Sequence, residues 1–152
     1  MATVDQIIER KGRSVFTISP HATVLEAARL MNQHKIGSLV VLDHDRVQGI
    51  VTERDVMTRV VAQQRDPATT FVSEVMTREI ATCRMDTPIQ QARGTMMQRR
   101  IRHLPVIDAD NRLEGIISIG DLNAWQLNGQ EMTIQSLQEY IYGQASVAGE
   151  PI

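Results

Sequence analysis

Gly49-Ile50-Val51-Thr52-Glu53-Arg54-Asp55 returns as Gly115-Ile116-Ile117-Ser118-Ile119-Gly120-Asp121, 66 residues further on. Both stretches read Gly, two branched apolar residues, a hydroxyl residue, and an aspartate three positions later. Upstream of each lies a second matching block. Ile36-Gly37-Ser38-Leu39-Val40-Val41-Leu42-Asp43 answers to Ile101-Arg102-His103-Leu104-Pro105-Val106-Ile107-Asp108 at a spacing of 65. One residue inserted in the intervening turn accounts for the difference. Self-similarity at a fixed period marks a repeat architecture, so the chain reads as a tandem duplication.

Working outward from these blocks gives each copy the same element order. In the first, 15–18 is a short β-prone run stopped by Ser19-Pro20. A helix follows over 23–35, with Val24, Ala27 and Met31 on one face and Gly37 marking its end. Runs 39–42 and 47–51 form a hairpin through Asp43-His44-Asp45. A second helix spans 53–64 before Arg65-Asp66-Pro67-Ala68 breaks it. In the second copy, 72–76 is a short helical opening and 79–83 the first strand. The helix over 88–99 has Pro88 in its first turn and repeats the buried triplet as Ile89, Ala92 and Met96. Gly94 inside it reads as a site of close helix packing. Strands 104–107 and 113–117 and a helix over 119–127 complete the copy.

Each copy thus reads β-α-β-β-α, and about 50 residues are too few to bury a good core alone. The expected fold class is mixed α/β (α+β), with two repeats packed in pseudo-two-fold symmetry. The expected organisation is an N-terminal helix in 1–14, repeats over 15–66 and 72–128, and a C-terminal helix and tail over 129–152. In that tail Ile134, Leu137 and Ile141 mark an amphipathic helix over 133–142.

Composition narrows the function. The chain has 152 residues, a formal net charge of −2 and only 3% aromatic residues. No basic excess points to nucleic acid, and no apolar run reaches the roughly 18 residues that span a membrane. The mixed-charge start lacks the apolar core of a signal peptide. Cys83 is the single cysteine, so no intrachain disulfide forms, which fits a reducing compartment. The expectation is a soluble cytoplasmic protein. His21, His34 and His44 show no metal spacing. Cys83 reads as a buried, inert thiol with no base to activate it.

The chemistry lies at the repeated strand-to-helix junction. Thr52 or Ser118 is a natural N-cap, and Asp55 or Asp121 sits where the helix dipole stabilises a carboxylate. That reading is purely structural. The functional one is that a helix N-terminus with a hydroxyl suits a phosphate or ribose, and an aspartate accepts from both ribose hydroxyls.

At this point the residues resemble a known family. Met31-x4-Ile36 and Met96-x4-Ile101, the following Leu-x-Val and Leu-Pro-Val-Ile-Asp strands, and the two Gly-x-x-Thr/Ser-x-x-Asp elements look like cystathionine β-synthase (CBS) domains. A tandem pair is called a Bateman module, and the resemblance covers roughly 15–127. It implies a stand-alone regulatory protein, not an enzyme, that binds adenosine-containing ligands such as AMP, ATP or NAD(H) in clefts between the repeats. It implies ribose and phosphate contacts from Thr52 and Asp55 in one cleft and from Ser118 and Asp121 in the other. The base would lie near Thr17 or Thr82. Arg102 and His103 match a phosphate position that the first copy fills with Gly37 and Ser38, so the two clefts differ. Arg54 is a further phosphate candidate, equally readable as a solvated first-turn arginine. The resemblance also implies a homodimer and a regulated protein partner.

Two competitors stand beside this reading. An enzyme related to IMP dehydrogenase, whose sequences carry the same pair, would need a catalytic barrel and a cysteine loop that this sequence lacks. A CBS-pair scaffold that dimerises and binds a protein without nucleotide is the alternative function.

Overall fold

The computed structural model describes residues 1–128. The expected tail helix over 133–142 lies outside them. The chain divides into two compact units, each built around one copy of the repeat but exchanging its leading helix.

The first-copy unit holds 14–81 with 107–113. Its helix α2, Val24–His34, starts at a capping box. The Thr23 hydroxyl accepts from the Glu26 N–H at 3.1 Å, and the Glu26 carboxylate accepts from the Thr23 N–H at 3.0 Å. The triplet Val24, Ala27 and Met31 is buried as expected. The helix stops two residues before the expected glycine, because Lys35 takes the left-handed conformation (φ 54°, ψ 45°). Gly37 instead lies in the bend just before the next strand, where its carbonyl accepts from the Glu53 N–H at 3.0 Å.

Strands β1 (Thr17–Ile18), β2 (Ser38–Asp43) and β3 (Arg46–Thr52) form one sheet in that order. β1 runs parallel to β2, and β2 pairs antiparallel with β3. The hairpin turn places both His44 and Asp45 at positive φ, 51° and 65°, as a two-residue turn matched to strand twist requires. After β3 comes one turn of helix, α3 (Glu53–Val56), which widens into a π-helix over Met57–Val61. The sequence reading of one continuous α-helix over 53–64 is corrected here. The Ala62 N–H reaches the Met57 carbonyl at 2.9 Å, a five-residue step. In that wider turn Val60 is buried and Arg59 donates to the carbonyls of Val75 and Met76.

Helix α4, Val72–Val75, reads from the sequence as the opening of the second copy. Its Val72 and Val75, with Met76, pack instead into the first-copy core alongside Val24, Leu39, Val41 and Val51. Backbone bonds fix it there, from Val24 N–H to Thr70 O and from Val72 N–H to Ala22 O, both 2.8 Å.

The second-copy unit holds 1–13, 82–106 and, among the described residues, 114–128. Helix α1, Val4–Lys11, plays the part that α4 plays in the other unit. It buries Val4, Ile7 and Ile8, and the Val4 N–H donates to Thr87 O at 2.9 Å. Helix α5, Ile89–Arg99, buries Ile89, Ala92 and Met96 and ends on Arg100 in the same left-handed geometry as Lys35. Pro88 is the N-cap rather than a first-turn residue. Gly94 does not mark close packing: a Cβ there would meet nothing within 4 Å.

Strands β4 (His103–Ile107) and β5 (Leu113–Ser118) pair. The expected strand over 79–83 shrinks to a single parallel bridge from Cys83 to Val106. The reason is Pro105. In the first copy the Val40 N–H donates to Phe16 O at 3.3 Å and extends the parallel ladder. Pro105 stands 65 residues after Val40 and has no N–H to give. Helix α6, Ile119–Asn128, follows β5. Arg93 on α5 ties to it, donating to Asn123 Oδ1 at 3.2 Å and Leu122 O at 3.0 Å.

Candidate functional site

Both strand-to-helix junctions are capping boxes. At the first, the Thr52 hydroxyl accepts from the Asp55 N–H at 3.1 Å, and Asp55 Oδ2 accepts from the Thr52 N–H at 2.9 Å. At the second, the Ser118 hydroxyl accepts from the Asp121 N–H at 3.1 Å, and Asp121 Oδ2 accepts from the Ser118 N–H at 2.8 Å. The first helical N–H at each is also taken, from Glu53 to Gly37 O at 3.0 Å and from Ile119 to Arg102 O at 2.9 Å. The hydroxyl and carboxylate are therefore held rigidly at the end of a sheet strand. Each hydroxyl keeps its own proton available to donate.

The surroundings of the two carboxylates differ. Asp55 is only 8% exposed. Its Oδ1 receives the Thr77 hydroxyl at 3.4 Å and faces Arg59 NH1 at 3.7 Å. Both oxygens of Asp55 are thus engaged within its unit. Asp121 Oδ2 takes a second donor, Lys11 Nζ at 2.7 Å, which also donates to Ile116 O at 2.9 Å. Oδ1 of Asp121 takes no hydrogen bond from the described residues.

The remaining sequence candidates fall as follows. Thr17 is half-buried on β1, beside Val40 of β2. Thr82 is half-buried just before the Cys83 bridge. Arg54 is exposed on α3, its carbonyl accepting from the Thr58 hydroxyl at 2.8 Å. Arg102 is exposed and precedes β4, and His103 opens that strand half-buried. Burial holds the His103 imidazole below its ordinary value. The Lys11 charge lowers it further, Asp121 opposes the shift, and Arg102 adds to it. Lys11, His103 and Asp121 therefore share one electrostatic neighbourhood in the second-copy unit.

Sequence reading missed Lys11, Arg59 and Thr77. Lys11 meets Asp121 across 110 positions, a distance that no local pattern spans. Its one sequence signal is a basic last turn on α1, Arg10-Lys11, followed by Arg13. The structure gives all three a partner on the β5–α6 segment. Arg10 lies 4.7 Å over the Trp125 ring, and Arg13 pairs with Glu114 at 3.2 Å. Among the described residues no group of acidic, histidine or cysteine side chains could hold a metal ion. No helix among them is long and apolar enough to cross a membrane.

The duplicated α/β units with their capped junctions define the class, and comparison with known proteins agrees. The CBS domain family matches the chain over residues 5–62 and again over 72–128, and the chain belongs to that family. It is 40% identical over 116 residues to the CBS domain-containing protein YhcV of Bacillus subtilis, a match covering 76% of this chain and 81% of YhcV. Among solved structures, a putative signal-transduction protein with CBS domains from Burkholderia ambifaria superposes with a TM-score of 0.77 at 38% identity. That match covers 88% of this chain and 99% of the other. The CBS domain pair of protein MJ0100, solved with 5-methylthioadenosine and S-adenosylmethionine, matches with a TM-score of 0.68 at 27% identity. It covers 87% of this chain and 99% of that one.

Proposed function

We propose that this protein is a regulatory module that binds an adenosine-containing nucleotide, AMP, ATP or NAD(H), and performs no catalysis of its own. The observation that carries the reading is Asp121. Its Oδ2 is fixed by the Ser118 N–H while Oδ1 takes no bond from the described residues, leaving an acceptor for ribose hydroxyls. The ligands in the MJ0100 structure are adenosine compounds, which supports the same class here. Ser118 and Asp121 would hold the ribose, Thr82 would lie by the base, and Arg102 and His103 would meet phosphate. Thr52, Asp55, Thr17 and Arg54 are the counterparts in the first copy.

Regulation needs a second state or a partner. Met57 and Val61 on the π-helix and Met97 on α5 are more than half exposed, apolar surface suited to a second copy of the chain.

A thermal-shift panel of AMP, ADP, ATP, NAD, NADH and S-adenosylmethionine tests the assignment. At least one should raise the melting temperature, the rise growing with the logarithm of ligand excess over Kd, and Asp121→Ala should reduce that rise. No shift with any of them would leave the scaffold reading standing. One observation favours that reading at the first junction: both oxygens of Asp55 already serve the fold.

A further inference from the structure

We propose that Lys11, carried in by the end of α1, is a ligand-contacting residue of the Ser118–Asp121 junction and selects a phosphate-bearing nucleotide over uncharged or cationic adenosyl compounds. This rests on the reading of that junction as an adenosine site and adds a specificity-determining residue to it.

The geometry places the ammonium beside the carboxylate to which the proposed function gives the ribose. Lys11 Nζ sits 2.7 Å from the carboxylate and 2.9 Å from the carbonyl of Ile116, the residue two before Ser118. An ammonium has three donors, and these two contacts leave one. Lys11 can therefore bind an anion without leaving Asp121. Its side chain is 31% exposed, so that third donor is within reach of solvent. The carboxylate holds the ammonium in place, which lowers the entropy lost when a ligand arrives.

Charge decides which ligand fits. His103 titrates below its ordinary value, with burial the main cause and Lys11 the next. At neutral pH it is a neutral hydrogen-bonding group. That leaves the Lys11 and Arg102 cations against the Asp121 anion, an excess of one positive charge. Such a neighbourhood attracts a phosphate and repels a sulfonium. In the first-copy unit the group reaching Asp55 from beyond its own helix is the Thr77 hydroxyl, so the lysine distinguishes the second junction.

The test uses the full chain and isothermal titration with AMP, adenosine, 5-methylthioadenosine and S-adenosylmethionine. The wild-type chain should bind AMP about tenfold or more tighter than adenosine, the scale of one charge-assisted hydrogen bond. Lys11→Met should remove most of that preference and leave adenosine within about twofold, while Lys11→Arg should keep it. Circular dichroism confirms that each variant is folded. If AMP and adenosine bind the wild type equally, the role of Lys11 falls while the adenosine site stands. If Lys11→Met weakens both ligands alike, Lys11 is only a strut between α1 and α6, and the proposal is overturned. If no compound binds the wild type, the site reading falls with it.

Discussion

Thr52 and Asp55 cap each other across a single turn, hydroxyl to N–H at 3.1 Å and carboxylate to N–H at 2.9 Å. The same carboxylate, 8% exposed, also receives the Thr77 hydroxyl and faces Arg59. It therefore joins the start of α3 to the segment just after α4. Asp55→Ala would leave a part-buried N–H and a hydroxyl without acceptors, at a cost of about 2–3 kcal/mol. Asp121→Ala loses one cap and an ion pair partly open to solvent, at about 1–2 kcal/mol. Urea denaturation of both variants should rank Asp55→Ala as the more damaging, and the reverse order would contradict this account.

Gly49 and Gly94 should respond in opposite ways to alanine. A Cβ on Gly49 would lie 2.4 Å from the Thr77 carbonyl oxygen. That approach is locked by paired backbone bonds between Ile50 and Thr77 at 2.8 and 3.0 Å. Gly49→Ala should cost about 2–3 kcal/mol or prevent folding. Gly94 faces open space in mid-helix, so Gly94→Ala should stabilise the chain by about 0.5–1 kcal/mol. Thermal melts of the two variants should move in opposite directions. At Gly115 the obstacle is the flexible tip of Ile8, 2.9 Å away, and Gly115→Ala should be milder than Gly49→Ala.

These contrasts show what the sequence disclosed and what it withheld. The duplication, the buried triplets Val24-Ala27-Met31 and Ile89-Ala92-Met96, and the hairpins follow from periodicity and turn chemistry, which are local. The Thr52–Asp55 and Ser118–Asp121 pairs were equally legible, because a cap is a three-residue relation. The missing strand before Cys83 was also written locally, in Pro105, but its effect falls on a partner strand more than 20 residues away. The exchange of α1 and α4 was not legible. Both helices bury apolar faces that suit either copy, and only the backbone bonds from Val4 to Thr87 and from Val72 to Ala22 assign them. Lys11 and Arg59 were missed for the same reason: each is an ordinary helical cation until its distant partner is known.

Cys83 gives a probe of folding at the point where the second sheet is thinnest. Burial pushes its thiol up to about 12, so the reactive thiolate is scarce at neutral pH. At pH 8 the unfolded chain should react with a disulfide reagent about a thousandfold faster than the folded one. Rates followed across a urea titration should track unfolding. Fast labelling of the native chain would show that the Cys83–Val106 bridge opens locally.

His103 makes stability depend on pH in a predictable direction. Its folded value lies below the ordinary 6.5 because burial disfavours the charged ring, with Lys11 and Arg102 opposing protonation and Asp121 favouring it. Above the ordinary value the ring is neutral in both folded and unfolded chains, and it costs nothing. As pH falls through that value, the unfolded chain takes up a proton that the folded chain refuses. Stability then falls by up to about 1.4 kcal/mol per pH unit until the folded value is reached, below which the loss is constant. His103→Gln removes this dependence. Urea denaturation of both proteins at several pH values between neutrality and mild acid should show the wild type losing stability relative to the variant on acidification. His21, His34 and His44 are exposed and common to both proteins, so their contributions cancel in that difference. A difference that stays flat with pH would mean that the folded chain accepts the His103 proton as readily as the unfolded one.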